Sequence, residues 1–402
     1  MKLIKQIGLA VALYISMKAQ AQKWENLAPT PPMGWNSWNT FQANINEDLI
    51  KHTADIMVES GMKDAGYLYL VLDDGWMAME RDSITGDLVP DPKKFPHGIK
   101  AVSDYVHAKG LKFGMYNCAG TKTCGGYPGT RGYEYQDARF YAASGCDYLK
   151  FDWCYSDSLN AVESYTTMSK ALQKAGRPMI FNLCEWGQHK PWLWAQKIGQ
   201  LWRTTGDIYA QFDGIHSQGS WTANGVMHIA DMNEPLHKYA GKNNWNDPDM
   251  LEVGNLKTAV EDRAHFSIWC MMAAPLIAGN DITKMSAQTK AILTDKDAIG
   301  IDQDTLAVQG FRYSQKDSLE TWIKPLSNGN WAICFLNRSN KPQLVSFDWK
   351  KAAIKDDLSG MSLGITSYKI KDVWNKKAAG TTTKPFNATV ASHDVVLLML
   401  NK

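Results

Sequence analysis

Asp147-Tyr148-Leu149-Lys150-Phe151-Asp152-Trp153-Cys154 is an apolar run interrupted by two opposite charges set two residues apart. In an extended strand, residues two apart share a face, so Lys150 and Asp152 point one way while Phe151 packs the other way. Runs of the same kind recur along the chain at 33–38, 67–76, 111–118, 179–186, 201–208, 244–251 and 275–282. Near-continuous apolar strands of this type belong to parallel sheets buried on both faces. Between them lie stretches of helical period such as 48–60, 99–109, 157–174 and 257–272. Gly61, Gly110 and Gly176 follow three of these, where helix C-caps are expected. About eight strand–helix repeats over roughly 270 residues predict a (β/α)8 TIM barrel. A doubly wound open sheet fits less well, because no glycine-rich phosphate loop follows the first strand.

Beyond Thr305 the texture changes. Segments 319–324, 331–336, 344–349, 366–373 and 395–400 alternate or run with β-formers, separated by turn clusters such as Ser327-Asn328-Gly329-Asn330. They predict a small C-terminal antiparallel β-sandwich over 305–402 after a catalytic barrel over 22–304, with no flexible linker between them. At the other end, Lys2 and Lys5 precede an apolar run at 7–15, and Ala19-Gln20-Ala21 has the small-x-small form of a cleavage site. This predicts a signal peptide over 1–21 and export to the periplasm or beyond. The apolar run is too short to span a bilayer, and no other segment is long enough.

The 43 Lys and Arg against 41 Asp and Glu give a net charge of +2, which argues against a nucleic-acid or anionic-membrane partner. Sixteen Trp and sixteen Tyr are a mild pointer to sugar stacking, since the same rings also fill cores. Seven cysteines leave at least one unpaired, so disulfides do not build this scaffold, although export permits a bridge.

In a TIM barrel the active site lies at the C-terminal strand ends. Reading those ends collects Trp35, Asp73, Asp74, Tyr116, Lys150, Asp152, Glu185, Arg203, Asp207, Asp247 and Asp249. Carboxylates that accept from hydroxyls, cations that donate to them and aromatic faces together suit a neutral polyol. Two of the carboxylates can then cleave a glycosidic bond. Lys150 beside Asp152 should lower that carboxyl's pKa and keep it ionised as a nucleophile, although the same pattern also serves a structural salt bridge. Arg203 and Asp207 close the sixth strand. Asp207, near another carboxylate, can stay protonated as a general acid, or it can be a plain ion-pair partner of Arg203. Asp73-Asp74 lack a paired His at ligand spacing, so hydroxyl binding is a better use of them than metal binding, and no metal or cofactor is expected.

Taken together, Pro32-Met33-Gly34-Trp35-Asn36-Ser37-Trp38, Leu72-Asp73-Asp74-Gly75-Trp76, Leu149-Lys150-Phe151-Asp152, Trp245-Asn246-Asp247-Pro248-Asp249-Met250 and Ile301-Asp302-Gln303-Asp304 resemble the α-galactosidases and α-N-acetylgalactosaminidases of glycoside hydrolase family 27. The resemblance implies Asp152 as nucleophile and Asp207 as acid/base. It places Asp73, Asp74, Lys150, Glu185 and Arg203 on the sugar hydroxyls, Trp35 and Asp249 in the pocket wall, and Tyr116 close to the nucleophile. It also implies a Cys124–Cys154 bridge, while Gly75 stands where animal members carry Cys. Trp186, a bulky residue in the loop after the fifth strand, favours galactose over N-acetylgalactosamine, and Asp73-Asp74 fit a sugar with a 6-hydroxyl. The expectation is a retaining exo-α-galactosidase acting on α-galactoside oligo- or polysaccharides. An α-N-acetylgalactosaminidase, a β-L-arabinopyranosidase and a non-catalytic galactose-binding protein are the alternatives.

Overall fold

In the computed structural model, which describes residues 23–364 and 366–402, eight parallel strands form one curled sheet. The expected signal peptide lies outside the described residues. The sheet strands are β1 (Met33–Asn36), β2 (Tyr69–Val71), β3 (Lys112–Cys118), β4 (Tyr148–Asp152), β5 (Ile180–Cys184) and β6 (Leu201–Arg203). A small hairpin, β7 (Ile215–Ser217) and β8 (Thr222–Asn224), stands outside the sheet before β9 (Trp245–Asp247) and β10 (Leu276–Ala278). The order is β10-β1-β2-β3-β4-β5-β6-β9, and a bridge between Leu251 and Ala278 closes the ring. Each strand is shorter than its apolar run, because the runs continue into buried loops.

The strands are joined by α1 (Trp38–Phe41), α2 (Glu47–Glu59), α3 (Met62–Ala65), α4 (Gly98–Ala108), α5 (Glu134–Ala143), α6 (Ala161–Ala175), α7 (Val226–Asn233) and α8 (Ala259–Met271), and α9 (Ala287–Leu293) and α10 (Lys296–Asp302) follow β10. Between β5 and β6 there are only two 3-10 turns, Pro191–Leu193 and Ala195–Lys197, where the eightfold repeat predicts a helix. Local chemistry sets the helix starts. The side chains of Asn46, Asn160 and Thr258 accept from the backbone N–H three residues on, at the heads of α2, α6 and α8. Gly61, Gly110 and Gly176 all take positive φ after α2, α4 and α6, as C-terminal caps do.

Alternation along the barrel strands separates two environments. Leu70, Leu149, Phe151, Phe181, Leu183 and Trp202 pack outward into the main core beneath the helices. Tyr69, Val71, Tyr148, Ile180, Leu201 and Trp245 form a separate cluster inside the ring at its N-terminal end. The inward positions further along the same strands are polar.

The C-terminal part holds β11 (Phe311–Lys316), β12 (Leu319–Pro325), β13 (Trp331–Asn337), β14 (Gln343–Phe347), β15 (Ile354–Lys355), β16 (Ser362–Leu363), β17 (Lys369–Asp372), β18 (Lys377–Thr381), β19 (Phe386–Val390) and β20 (Val395–Asn401). Six of them form an antiparallel sheet in the order β11-β12-β13-β20-β17-β18, and two short pairs, β14–β19 and β15–β16, accompany it. Ala332, Cys334 and Leu336 of β13 join the barrel's core, whereas Trp331, Ile333 and Phe335 fill the sandwich's own core. A sheet covered on both faces explains why this strand reads as continuously apolar. On the barrel side α8 is buried along almost its whole length. Trp374 from the sandwich donates its indole N–H to Ser267 of α8 at 2.9 Å.

Candidate active site

The polar inward positions gather at the C-terminal mouth. On β4, Lys150 and Asp152 share the inner face, and Phe151 packs outward against Tyr165 and Phe181, as strand alternation predicts. The ammonium of Lys150, however, does not bond Asp152. It donates to Asp73 Oδ2 at 2.9 Å and lies 5.3 Å from the centre of the Tyr116 ring. Asp152 accepts instead from the Tyr116 hydroxyl at 3.0 Å and from the Trp153 N–H at 2.8 Å.

The expected lowering of the Asp152 pKa is therefore corrected. Burial of the carboxylate is the largest influence and raises it, Lys150 lowers it, the negative charge of Asp207 raises it, and the result is about 7. Burial also works against the charge of Lys150, but Asp73 and Asp152 help to outweigh it and keep the ammonium protonated.

Asp73 and Asp74 sit just beyond β2. Asp73 follows the inward alternation and also accepts from Asn36 Nδ2 at 2.6 Å. Asp74 turns into the loop after β3, where its two oxygens accept from the N–H groups of Gly75 and Gly125, both at 2.8 Å. A Cβ on Gly125 would stand 2.9 Å from the Asp74 carboxylate, so only glycine lets the backbone come this close. Burial raises the Asp74 pKa to about 6 against those hydrogen bonds.

Asp207 does not close β6. The strand ends at Arg203; Thr204 keeps its N–H on the Asp247 carbonyl, the last rung to β9, and its hydroxyl donates to Asn233. Asp207 lies four residues on, in a loop, with its side chain 42% exposed and Oδ1 3.0 Å from Arg203 Nη2. Arg203 Nη2 also lies 2.9 Å from Asp249 Oδ2, which in turn accepts from the Ile208 N–H at 2.9 Å. Burial opposes the charge on Arg203, but Asp249, Asp207 and Asp247 outweigh it. Asp249 therefore orients Arg203 and the Asp207 loop, and it holds a positive φ of 80° to do so.

Trp35 lies elsewhere than expected, whereas Glu185 and Trp186 stand in the loop after β5. Trp35 pairs alongside Leu70 on the outer face of the barrel, with its indole N–H on the Asn280 carbonyl at 2.8 Å. It is Asn36, one residue on, that faces inward to Asp73, so the placement of Trp35 in the pocket wall is corrected. Glu185 is fully buried but engages its own loop. Its Oε2 accepts from the His189 N–H at 2.6 Å and lies 2.9 Å from His189 Nδ1, while Oε1 has no partner among the described residues. Trp186 is half-buried and, with Trp153, Tyr155 and His189, lines a rim cavity of about 550 Å3. Cys124 and Cys154 form the disulfide, which joins the loops after β3 and β4 close beside the Asp152 carboxylate. The other five cysteines, Cys118, Cys146, Cys184, Cys270 and Cys334, are buried and free.

Sequence reasoning missed the neutral members of the site. Asn182 sits on the inner face of β5, donating to Asp247 Oδ2 at 3.0 Å, and its own Oδ1 has no partner among the described residues. Cys184, directly beside Asp152 in register, approaches Arg203 Nη1 at 3.5 Å. The i, i+2 rule that identified Lys150 and Asp152 would have picked out both. Buried polar atoms without partners among the described residues (Asn182 Oδ1, Glu185 Oε1, Arg203 Nε) are costly in an apolar interior and suit a region that binds hydroxyls.

The geometry agrees with comparisons to known proteins. Residues 30–304 match the family model for α-galactosidase A, and residues 316–400 match that of the α-galactosidase C-terminal β-sandwich domain. The chain is 50% identical to α-galactosidase A of Cellvibrio japonicus over 402 residues, covering 100% of this chain and 99% of that one. The structure is similar to that of α-galactosidase I from Mortierella vinacea, with a TM-score of 0.87 at 35% identity, over 93% of this chain and 98% of that one. It is equally similar to the α-galactosidase of Saccharomyces cerevisiae solved with raffinose, with a TM-score of 0.87 at 31% identity and the same coverage. The chain belongs to the melibiase family, the α-galactosidases of glycoside hydrolase family 27.

Proposed function

We propose that this chain is a retaining exo-α-galactosidase that releases terminal α-D-galactosyl residues by double displacement, with Asp152 as nucleophile and Asp207 as acid/base. The observation that carries the reading is the contrast between two carboxylates at one mouth. Asp152 is buried on a strand between Tyr116 and the Trp153 N–H, whereas Asp207 is half-buried on a loop beside Arg203. A nucleophile must be fixed and desolvated at the anomeric carbon. An acid that protonates the leaving oxygen must face the side from which the aglycone departs.

In the first step a carboxylate oxygen of Asp152 bonds to C1 as the C1–O bond breaks and Asp207 gives its proton to the leaving oxygen. In the second, Asp207 takes a proton from water, the water oxygen bonds to C1, and Asp152 leaves as carboxylate. Asp73, Asp74, Lys150, Glu185 and Arg203 hold the sugar hydroxyls in this reading, with Asn36 and Asn182 added. The Tyr116 hydroxyl supports the ionised form of Asp152 in both steps.

A panel of aryl α-galactoside, α-N-acetylgalactosaminide and β-L-arabinopyranoside substrates tests the proposal, with the product anomer followed by NMR. Release from the α-galactoside with α-galactose as first product supports it. A preference for another sugar, or β-galactose as first product, overturns it.

The proposal extends to export. Residues 1–21 act as a signal peptide, and the mature chain runs as a barrel over 22–304 and a sandwich over 305–402. Among the described residues no helix is long and apolar enough to cross a membrane. The disulfide suits an oxidising compartment. The two parts are tied at the proposed boundary, where Asp304 accepts from the N–H and hydroxyl of Ser327 at 2.8 and 2.7 Å. N-terminal sequencing of exported protein checks the cleavage point: a start at Gln22 supports it, and an intact Met1 refutes it.

A further inference from the structure

Two carboxylates that must act together are held by different means. Asp152 belongs to a barrel strand and receives two hydrogen bonds at its side chain. Asp207 belongs to the loop between β6 and β7, and among the described residues Arg203 alone is hydrogen-bonded to its carboxylate. Its position therefore depends on what holds the loop.

Near Asp207 the barrel supplies the hold. The Ile208 N–H donates to Asp249, and the Asp207 carbonyl accepts from the Asn224 N–H at 2.8 Å. Five and six residues further on, the hold comes from the C-terminal domain. The ring of Phe212, itself buried, stacks on the imidazole of His393 with centroids 4.2 Å apart and planes 12° from parallel. Asp213 Oδ2 accepts from Arg338 Nη2 at 2.7 Å.

Both sandwich residues are themselves anchored. Arg338 Nη1 donates to Asp231 of α7 at 2.9 Å and to Glu320 of β12 at 3.0 Å, and His393 Nδ1 lies 2.8 Å from Glu261 of α8. The same short segment is bound to the barrel from behind, since the first N–H groups of α7, at Val226 and Met227, donate to the carbonyls of Gln211 and Phe212. Residues 211–213 are thus gripped between the head of α7 and the sandwich.

We infer that the C-terminal domain sets the position of the Asp207 carboxylate. Arg338 and His393 act as positioning residues for the acid/base through Asp213 and Phe212. This rests on the reading of Asp207 as acid/base. A 1 Å shift of a catalytic group lowers a rate by as much as about a hundredfold, so a grip on the loop bears directly on proton transfer.

The test uses full-length Asp213→Asn and His393→Asn, compared with Asp207→Ala. Asp213→Asn keeps an acceptor for the Gly214 N–H and leaves Arg338 bonded to Asp231 and Glu320, so the fold is retained. The measurement is kcat/KM on two aryl α-galactosides of similar size, 4-nitrophenyl and 4-methoxyphenyl. The first has a good leaving group that needs little protonation, and the second a poor one that needs the acid. The expected result is that both variants lose about tenfold more on the methoxyphenyl than on the nitrophenyl substrate, in the same sense as Asp207→Ala. Equal losses on the two substrates, or no loss, while Asp207→Ala still discriminates, overturn the inference and leave the acid/base reading standing. Equal losses in Asp207→Ala overturn the acid/base reading itself.

Discussion

At the floor of the barrel, Tyr69, Tyr148, Ile180, Leu201 and Trp245 fill the lumen as one apolar cluster; at its mouth, the same strands point Lys150, Asp152, Asn182, Arg203 and Asp247 into it. Two residues along a strand separate one environment from the other. Within the lumen cluster at the floor the polar side-chain atoms are paired: Tyr69 accepts from Lys112, and Tyr148 accepts from Asn182. The Trp245 indole N–H donates to the Ala28 carbonyl at 2.9 Å, and Lys23 places three hydrogen bonds on Gly199, Asn243 and Asn244. At the mouth, buried polar atoms have no partner among the described residues and carboxylates are pushed upward, Asp152 to about 7 and Asp74 to about 6. The difference teaches that, within the lumen, apolar packing lies at one end and the raised carboxylates facing the cavity at the other.

Substitutions at the two ends should therefore fail in opposite ways. The largest effect is expected for Asp152→Asn, which should lower kcat by about 10⁴-fold or more while leaving thermal stability unchanged or slightly higher, because a buried charge is removed. Kinetics on an aryl α-galactoside with a melting curve of the same sample checks both halves. At the floor, Trp245→Ala should cost about 3–5 kcal/mol of unfolding free energy, measured in denaturant, while activity per folded molecule changes little. A floor substitution that abolished catalysis in folded protein would break the comparison.

How much of this contrast was legible beforehand depended on range. The i, i+2 spacing of Lys150 and Asp152 was enough to turn both into the lumen, since alternation is a local property of strands. The same rule, applied to β1, would have turned Asn36 inward and Trp35 outward, but register with β2 is needed to know which face is which. That Lys150 bonds Asp73 rather than Asp152 depends on how β2 and β4 are placed across the lumen, which sequence spacing does not encode. The apolar run that continues to Ile208 predicts Asp207 at a strand end. The strand stops at Arg203, where Thr204 hydrogen-bonds to residues 29 and 43 positions away. The helix missing after β5 had no local signal, and the grip of the sandwich on residues 212 and 213 joins positions more than a hundred residues apart.

The pH dependence sharpens the electrostatic half of the comparison. With Asp152 as the proposed nucleophile, which must be ionised to attack, kcat/KM should rise with pH through about 7. Tyr116→Phe, which removes a donor to the carboxylate, should move that limb to higher pH. Stability should run the other way. Burial raises Asp152 and Glu252 to about 7 and Asp302 to about 8, so between the ordinary carboxylate range and those values these three groups bind more protons in the folded than in the unfolded chain. They outnumber His265, lowered to about 3, and Lys23, lowered to about 7, which act the other way. Stability is then lost as pH rises through that window. The melting temperature should be higher at pH 5 than at pH 8, and the opposite order would refute the assignment. The smallest effect is expected at the floor. Lys23→Met should cost about 1–3 kcal/mol through the acceptors it leaves unpaired and should leave kcat unchanged.

The central claim is that Asp152 bonds to the sugar. A 2-fluoro-galactosyl substrate with a good leaving group slows release of the galactosyl-enzyme, and peptide mapping by mass spectrometry then locates the attached sugar. One fluorogalactosyl group per chain is expected, on the peptide containing Asp152 and absent from Asp152→Asn. Attachment at any other side chain, or turnover that proceeds with no covalent adduct, would contradict it.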